Sequence, residues 1–399
     1  MLISGKKWDR EIEIDAPPSK SIYHRELIVR FLCGDRYNLD ESEGDNDDII
    51  ATKSCLRALR DIYEEEDVVL DCNESGSTLR FMIPVAATYV FAKGGRNRLI
   101  FRTAGRLFDR PIGELYEALK PHGIMIEKSE SDRSFIVTLA SDATSMTAGE
   151  YVIDGSVSSQ YISGLLMALT LFEEEAVVRV TGELKSVHYI ELTEAVLKKY
   201  GAEVRKNDQI YYPVAGGYKK EAIEKYPDLK VEGDWSNGAF LLCLERFSKI
   251  RVNNLNTDSL QGDRAILDYF RCLEEGKDLS FQCNDIPDIV PYMAIVAPFT
   301  VDKMTFNGIG RLRIKESDRV KAIREQLAAI GVLTEETEDS LTVYRYEGKI
   351  PYDGTISLSS YHDHRMAMCA ILIAVILKTE VELDDLECVK KSFPQLLDI

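Results

Sequence analysis

The stretch DGSVSSQYISGLLMAL, Asp154 to Leu169, decides how the rest of the chain is read. A glycine and several small hydroxyl residues lead into Ile162, Leu165, Leu166 and Leu169, spaced i, i+3, i+4 and i+7. That spacing predicts a helix with an apolar face. Ser156, Ser158, Ser159 and Gln160 then fall at its first turn, where backbone N–H groups lack intrahelical partners and the helix dipole is positive. Side chains of this kind either cap the helix or help its free N–H groups hold an anion. One such stretch is explained by capping alone.

The pattern recurs. PSKSIYHRELIVRFL begins at Pro18, ESGSTLRFMIPVAA at Glu74, GDWSNGAFLLCL at Gly233, IPDIVPYMAIVAPF at Ile286 and HDHRMAMCAILIAV at His362. Six openings at intervals of roughly 50 to 80 residues indicate an internally repeated architecture. Short alternating runs between them (RLIFRTA, FIVTLA, AVVRVTG, LTVYRYEG) read as strands. The plain account is an α/β protein with well-capped helices. The sharper one has six helix N-termini serving one anion-binding cleft.

A chain of 399 residues is expected to form two domains, and 45% hydrophobic residues supply sizeable cores. A net charge of −18 argues against a nucleic-acid or anionic-membrane surface. Acidic runs at 64–67, 173–175 and 335–339 read as solvated faces. The eight cysteines (33, 55, 72, 243, 272, 283, 369, 388) show neither CxxC nor a metal-type spacing, which predicts reduced thiols. MLISGKKWDREIEI lacks the apolar core of a signal peptide, and the longest apolar run, 366–377, is too short to span a bilayer. A soluble cytoplasmic protein is expected.

Residues 3–14 suggest a first strand or strand pair. Lys20, Ser21 and Arg25 then place two cations near a helix start, without the GxxxxGK[ST] of a P-loop. They suit a phosphate or carboxylate, or else a surface ion-pair network. In RPIGELYEAL, Pro111 fits the first helical position and puts Arg110 at the positive end, awkward for a cation unless an anion is bound. Residues 186–204 predict a helix closed by Gly201 at C′. The polar stretch 205–231 marks a domain crossover, and 254–285 read as strand–helix–strand. Gly308 and Gly310 lack the third glycine of a dinucleotide fingerprint. KESDR, 315–319, gathers two cations and two carboxylates at a helix start, which suits either proton chemistry or a solvated capping network. The two histidines of HDHR, 362–365, have no third convergent ligand, so a metal is not expected.

Read together, PSKS…R, SGSTLR, RPIG, DGSVSSQ, SxxYI, GD, IPD, KESDR, DHRMAM and KSFP resemble, in order and from Lys20 to Pro394, the 5-enolpyruvylshikimate-3-phosphate synthase family of enolpyruvyl transferases. The resemblance implies a two-domain inside-out α/β barrel. Each domain would hold three strand–helix repeats, with helix N-termini facing the interdomain cleft. Residues 19–231 would form one domain, on the shikimate 3-phosphate side; residues 1–18 with 232–399 would form the other, carrying the catalytic carboxylates and the phosphoenolpyruvate side. It also implies transfer of the enolpyruvyl group of phosphoenolpyruvate to the 5-hydroxyl of shikimate 3-phosphate, on the way to chorismate and the aromatic amino acids. Shikimate 3-phosphate would be held by Lys20, Ser21, Arg25, Ser158, Ser159, Gln160, Ser186, Asp288 and Lys315. Phosphoenolpyruvate would be held by Lys20, Gly76, Arg110, Gln160, Arg319, Arg365 and Lys391. Asp288, Glu316 and Lys20 would carry the catalysis. No metal or organic cofactor is implied, nor a nucleic-acid or membrane partner, and a monomer is expected.

Three residues depart from the family's words: Glu74 and Arg311 stand where asparagine is usual, and His188 where proline is. The alternatives are the sister transferase acting on UDP-N-acetylglucosamine and a non-catalytic anion sensor on the same scaffold. The sister's opening word carries Lys-Asn where this chain has Lys20-Ser21, and the sensor would not need Asp288, Glu316 and Lys20.

Overall fold

The computed structural model describes residues 1–36, 39–42, 44–63, 67–276, 278–348 and 355–399. In chain order they begin with β1 (Leu2–Ser4), β2 (Ile12–Asp15), α1 (Lys20–Leu32), α2 (Asp47–Arg60), β3 (Val68–Asp71), α3 (Gly76–Phe91) and β4 (Leu99–Arg102). There follow α4 (Gly113–Leu119), β5 (Ile124–Ser129), β6 (Ser134–Leu139), β7 (Glu150–Asp154), α5 (Ser159–Leu169), β8 (Val177–Thr181), α6 (Val187–Lys199), β9 (Val204–Asn207), β10 (Ile210–Pro213) and α7 (Glu221–Lys225). After α8 (Trp235–Glu245) come β11 (Ile250–Asn253), α9 (Ile266–Glu275), β12 (Asp278–Gln282), α10 (Val290–Val296), β13 (Lys303–Asn307) and α11 (Arg319–Ala329). The chain ends with β14 (Thr334–Glu336), β15 (Ser340–Tyr344), β16 (Ile356–Leu358), α12 (His364–Leu377) and β17 (Glu380–Leu383). Of the acidic run at 64–67, all but Asp67 lies outside the described residues.

The chain divides into two compact units, Lys20–Val231 and Met1–Ser19 with Glu232–Ile399. Each has its own hydrophobic core. One motif is used repeatedly. The sheets β3-β4-β6-β5, β7-β8-β10-β9 and β12-β13-β15-β14 have the same order, with the first two strands parallel and the rest antiparallel. The β16-β17 pair repeats the parallel step around α12, and β1 closes it antiparallel. In a further copy, β2 and β11 pair in parallel although the whole Lys20–Val231 unit lies between them in sequence. The first segment thus holds two strands, β1 and β2, which pair with β17 and β11 and not with each other.

The two helices of each motif differ. The helix after the first strand is apolar on all sides: α3 (GSTLRFMIPVAATYVF), α5, α10 and α12 are buried along almost their whole length. A helix without a polar face has to sit inside. The second helix, as in α6 or α11, keeps one polar face exposed. The inner helices approach closely where they touch: a Cβ on Gly164 of α5 would lie 2.7 Å from the Arg80 carbonyl oxygen and 3.0 Å from Pro84 of α3. All six predicted openings do begin helices, namely α1, α3, α5, α8, α10 and α12. Residues 254–261 form no strand; β11 ends at Asn253, and the segment turns instead into α9. Gly201 follows α6 with φ +83°, the left-handed C′ conformation its position predicts. No helix among the described residues is long and apolar enough to cross a membrane.

Candidate active site

In the unit that contains both chain ends, the starts of three inner helices and of α11 bring charged side chains together. Arg319, the first residue of α11, is only 1% exposed. Its Nη1 donates to Asp288 Oδ1 at 2.8 Å, its Nη2 to Glu316 Oε2 at 2.9 Å, and its Nε to Asp363 Oδ2 at 2.8 Å. Burial works against that charge, but Asp363, Glu316 and Asp288 outweigh it and hold the guanidinium well above its usual range. Lys315 Nζ lies 3.5 Å from Asp288 Oδ1, and Lys391 Nζ lies 3.7 Å from Glu316 Oε1. Two carboxylates are thus fixed on neighbouring nitrogens of one guanidinium, each with an ammonium beside it.

The titration of this cluster follows from burial and neighbours. For Asp288 burial opposes ionisation, yet Lys315, Arg365 and Arg319 hold the carboxyl well below the usual range. Burial pulls the Lys315 ammonium down to about 8, with Asp288 working in the opposite direction. Asp363 caps α12 by accepting from the Arg365 N–H at 2.9 Å, and also accepts from Ser317 Oγ at 2.9 Å. One carboxylate therefore ends a helix, orients a serine of KESDR and anchors Arg319.

Arg365, in the first turn of α12, is 4% exposed and is held differently. Its Nη1 donates to the Tyr292 hydroxyl at 2.9 Å and the Ser236 carbonyl at 3.2 Å, and its Nη2 to Ser236 Oγ at 2.8 Å. These acceptors are all neutral.

In the Lys20–Val231 unit, α1 opens with Lys20, whose Nζ is 2.8 Å from Asp48 Oδ2 in the first turn of α2. Arg25, one turn further on, is 2% exposed. It donates to Thr193 Oγ1 at 2.7 Å, the Tyr189 carbonyl at 2.8 Å, Ser163 Oγ at 3.2 Å and the Ser21 carbonyl at 2.5 Å. Burial lowers it to about 10. The start of α3 is crowded by guanidinium groups: a Cβ on Gly76 would meet Arg110 Nη1 at 2.6 Å and Arg80 Nη1 at 3.1 Å. Arg80 Nη1 donates to Gln160 Oε1 at 2.8 Å, and Gln160 Nε2 donates to Ser77 Oγ at 2.8 Å, tying the first turns of α3 and α5 together. Ser158 caps α5 by accepting from the Gln160 N–H at 3.3 Å, with Ser159 buried beside it. Ser186, at the start of α6, is buried with φ +56°, a left-handed backbone uncommon for serine.

The sequence-predicted residues thus fall into two groups, one in each unit. Lys20, Ser21, Arg25, Gly76, Arg110, Ser158, Ser159, Gln160 and Ser186 belong to one; Asp288, Lys315, Glu316, Arg319, Arg365 and Lys391 belong to the other. Arg110 needs a correction. Helix α4 starts at Gly113 after a tight turn at 107–109, so Pro111 is not its first residue. The guanidinium instead lies against Gly76, at the positive end of α3. Of the three departures, His188 sits on the exposed first turn of α6, 3.2 Å from Glu191. Sequence reasoning missed Asp48, Arg80, Tyr292 and Asp363 as site residues. Asp363 carried a signal, an aspartate directly before an apolar helix, and Arg80 lay inside SGSTLR; Asp48 was hidden in the acidic run DNDD.

Two similarly built α/β units with cations gathered at inner helix starts, one of them with paired carboxylates, define a mixed α/β protein equipped for anionic ligands. The family model for EPSP synthase (3-phosphoshikimate 1-carboxyvinyltransferase) matches residues 7–399. The 3-phosphoshikimate 1-carboxyvinyltransferase of Clostridium beijerinckii is 33% identical, over 97% of this chain and 93% of its own. That of Clostridioides difficile is 32% identical over 96% and 92%. The structure of EPSP synthase from Acinetobacter baumannii aligns with a TM-score of 0.69 at 18% identity, covering 97% of this chain and 94% of that one. The enolpyruvyl transferase NikO from Streptomyces tendae aligns with a TM-score of 0.65 at 13% identity, covering 100% and 95%, a likeness of fold alone. The chain belongs to the EPSP synthase family.

Proposed function

We propose that the chain transfers the enolpyruvyl group of phosphoenolpyruvate to the 5-hydroxyl of shikimate 3-phosphate and releases phosphate, the reaction of its family. The hydroxyl oxygen bonds to C2 of phosphoenolpyruvate while C3 takes up a proton. The resulting tetrahedral intermediate then loses phosphate as C3 returns a proton. This chemistry needs one group to take the hydroxyl proton and another to serve C3 first as acid and then as base.

The observation that carries the reading is the pair Asp288 and Glu316 on adjacent nitrogens of Arg319. Asp288, held ionised by its cationic neighbours, takes the hydroxyl proton; Glu316 serves C3, with Lys20 assisting. An anionic substrate offsets the field of Lys391 and Arg319 at Glu316 and eases its protonation. Shikimate 3-phosphate is held by Lys20, Ser21, Arg25, Ser158, Ser159, Gln160, Ser186, Asp288 and Lys315. Phosphoenolpyruvate is held by Lys20, Gly76, Arg110, Gln160, Arg319, Arg365 and Lys391. Residues 19–231 form the domain on the shikimate 3-phosphate side, and 1–18 with 232–399 the domain of the catalytic carboxylates. The finer architecture we propose is the family's inside-out α/β barrel, in which the starts of the inner helices face the ligands.

Phosphate release from phosphoenolpyruvate tests the activity. Release with shikimate 3-phosphate and none with UDP-N-acetylglucosamine is expected. Release only with the nucleotide sugar would assign the sister reaction, and binding of both anions without release would leave a sensor.

A further inference from the structure

Asp263 has no part in the site as described so far. It lies in the tight turn Gly262–Ala265 that leads into α9 and is 6% exposed. A carboxylate at such a place ordinarily serves the helix it precedes, through the dipole. Here its Oδ2 accepts a 2.5 Å hydrogen bond from Ser236 Oγ, on a different helix, α8. Its Oδ1 is buried with no hydrogen-bond partner among the described residues.

Ser236 has a single hydroxyl proton. Because that proton points at Asp263, the oxygen lone pairs are turned toward Arg365 Nη2, which donates to them at 2.8 Å. Were the proton to swing round, it would face an N–H donor and the contact would be lost. The Ser236 carbonyl and the Tyr292 hydroxyl take the other Arg365 hydrogen bonds. No carboxylate lies within ion-pair distance of the Arg365 guanidinium among the described residues, and Asp263, one hydroxyl away, is a carboxyl that hydrogen bonds link to that guanidinium. Burial and the charge of Asp288 push the Asp263 carboxyl up to about 7, while Ser236 and Arg365 pull against that shift and Asp234 adds to it.

We infer that Asp263 is a positioning residue for Arg365: acting through the Ser236 hydroxyl, it fixes the guanidinium in the orientation that receives phosphoenolpyruvate. This rests on the reading of Arg365 as a phosphoenolpyruvate ligand. Asp263 does not touch the substrate. Its contribution is to keep one acceptor turned the right way, so it governs binding of one substrate and leaves the proton chemistry alone.

The test is steady-state kinetics of the full chain with both substrates varied, for Asp263→Ala, Asp263→Asn, Ser236→Ala and Arg365→Ala. Asp263→Ala is expected to raise KM for phosphoenolpyruvate about tenfold, the loss of one charge-assisted hydrogen bond, with kcat and KM for shikimate 3-phosphate little changed. Asp263→Asn, which keeps an acceptor for Ser236 Oγ, should restore KM to within about threefold of wild type, a fraction of that same hydrogen bond. A merely structural Asp263 would lower the melting temperature or the active fraction and leave both KM values alone, and that result overturns the inference. Should Asp263→Ala fail to fold, Asp263→Leu takes its place with the same rise expected, and an unchanged KM in Ser236→Ala overturns the inference by itself. If Arg365→Ala leaves KM for phosphoenolpyruvate unchanged, the reading of Arg365 fails. If Arg365→Ala raises it and neither Asp263→Ala nor Ser236→Ala does, the positioning role alone fails.

Discussion

Arg25 and Arg319 are buried to the same degree, one in each unit, and are held in opposite ways. Arg25 donates only to hydroxyls and carbonyls (Thr193, Ser163, Ser21, Tyr189), and burial lowers it to about 10. Arg319 is bound to three carboxylates, which hold it well above its usual range. A cation on neutral acceptors keeps its field for an incoming anion. A cation on three carboxylates has its charge more than matched, and what it provides is geometry. Burial alone therefore does not tell whether a ligand-binding arginine supplies net charge or fixed geometry; the charge of its partners does.

Removing each arginine sharpens that contrast. Arg319→Met removes the cation that Asp288, Glu316 and Asp363 share and should destabilise its unit by about 3–5 kcal/mol, the cost of breaking a buried ion pair from one side. Arg25→Met should cost about 1 kcal/mol or less, since Thr193 Oγ1 and Ser163 Oγ already bond each other at 2.8 Å and a buried cation without a counter-charge is relieved. Denaturant unfolding of the two variants measures both, and equal losses would break the comparison. Arg110→Ala should weaken phosphoenolpyruvate by about 2–4 kcal/mol, read by calorimetry, with little loss of stability.

Gly76→Ala is a gentler probe of the same place. The added methyl would meet Arg110 Nη1 at 2.6 Å, so the guanidinium has to shift by several tenths of an ångström. KM for phosphoenolpyruvate should rise about tenfold, equivalent to roughly 1.4 kcal/mol, with the fold intact. An unchanged KM would place Arg110 outside the binding site.

Much of this was legible in the sequence, for identifiable reasons. The recurring short Gly/Ser/Pro/Asp openings marked six helix starts, and the all-apolar segments behind four of them marked α3, α5, α10 and α12 as buried, because a helix without a polar face has to sit inside. KESDR and HDHR marked two of the charged helix starts. The pairing of β2 with β11 was not legible, since more than half the chain separates them and no periodicity reports a partner at that distance. Nor was the placement of Arg110, whose helix begins at Gly113 and whose guanidinium lies on Gly76, far away in sequence. Asp363 and Asp48 were not legible as site residues, because a local pattern does not show the arginine or lysine on the far side of an acid.

The smallest effect concerns Lys315. Its ammonium, pulled down to about 8 by burial, is lost from the free enzyme as pH rises through that value. kcat/KM for shikimate 3-phosphate should fall along that limb. Fold stability should move the other way between about 8 and the unfolded value of 10.5, because the unfolded chain binds the proton that the folded chain has released. Lys315→Arg should remove the limb. A profile flat from pH 7 to 9 in wild type would separate Lys315 from substrate binding.

The most direct measurement is turnover of Glu316→Gln in D2O, following phosphate release together with deuterium at C3 of the recovered phosphoenolpyruvate and the enolpyruvyl product. Glu316, fixed by Arg319 and Lys391, is assigned the proton that C3 gains and returns. The variant should fold normally, lose about 10²- to 10⁴-fold in kcat and incorporate deuterium at C3 correspondingly slowly. Near-normal turnover with deuterium entering C3 at the wild-type rate would show that the Arg319 cluster holds Glu316 for structure alone.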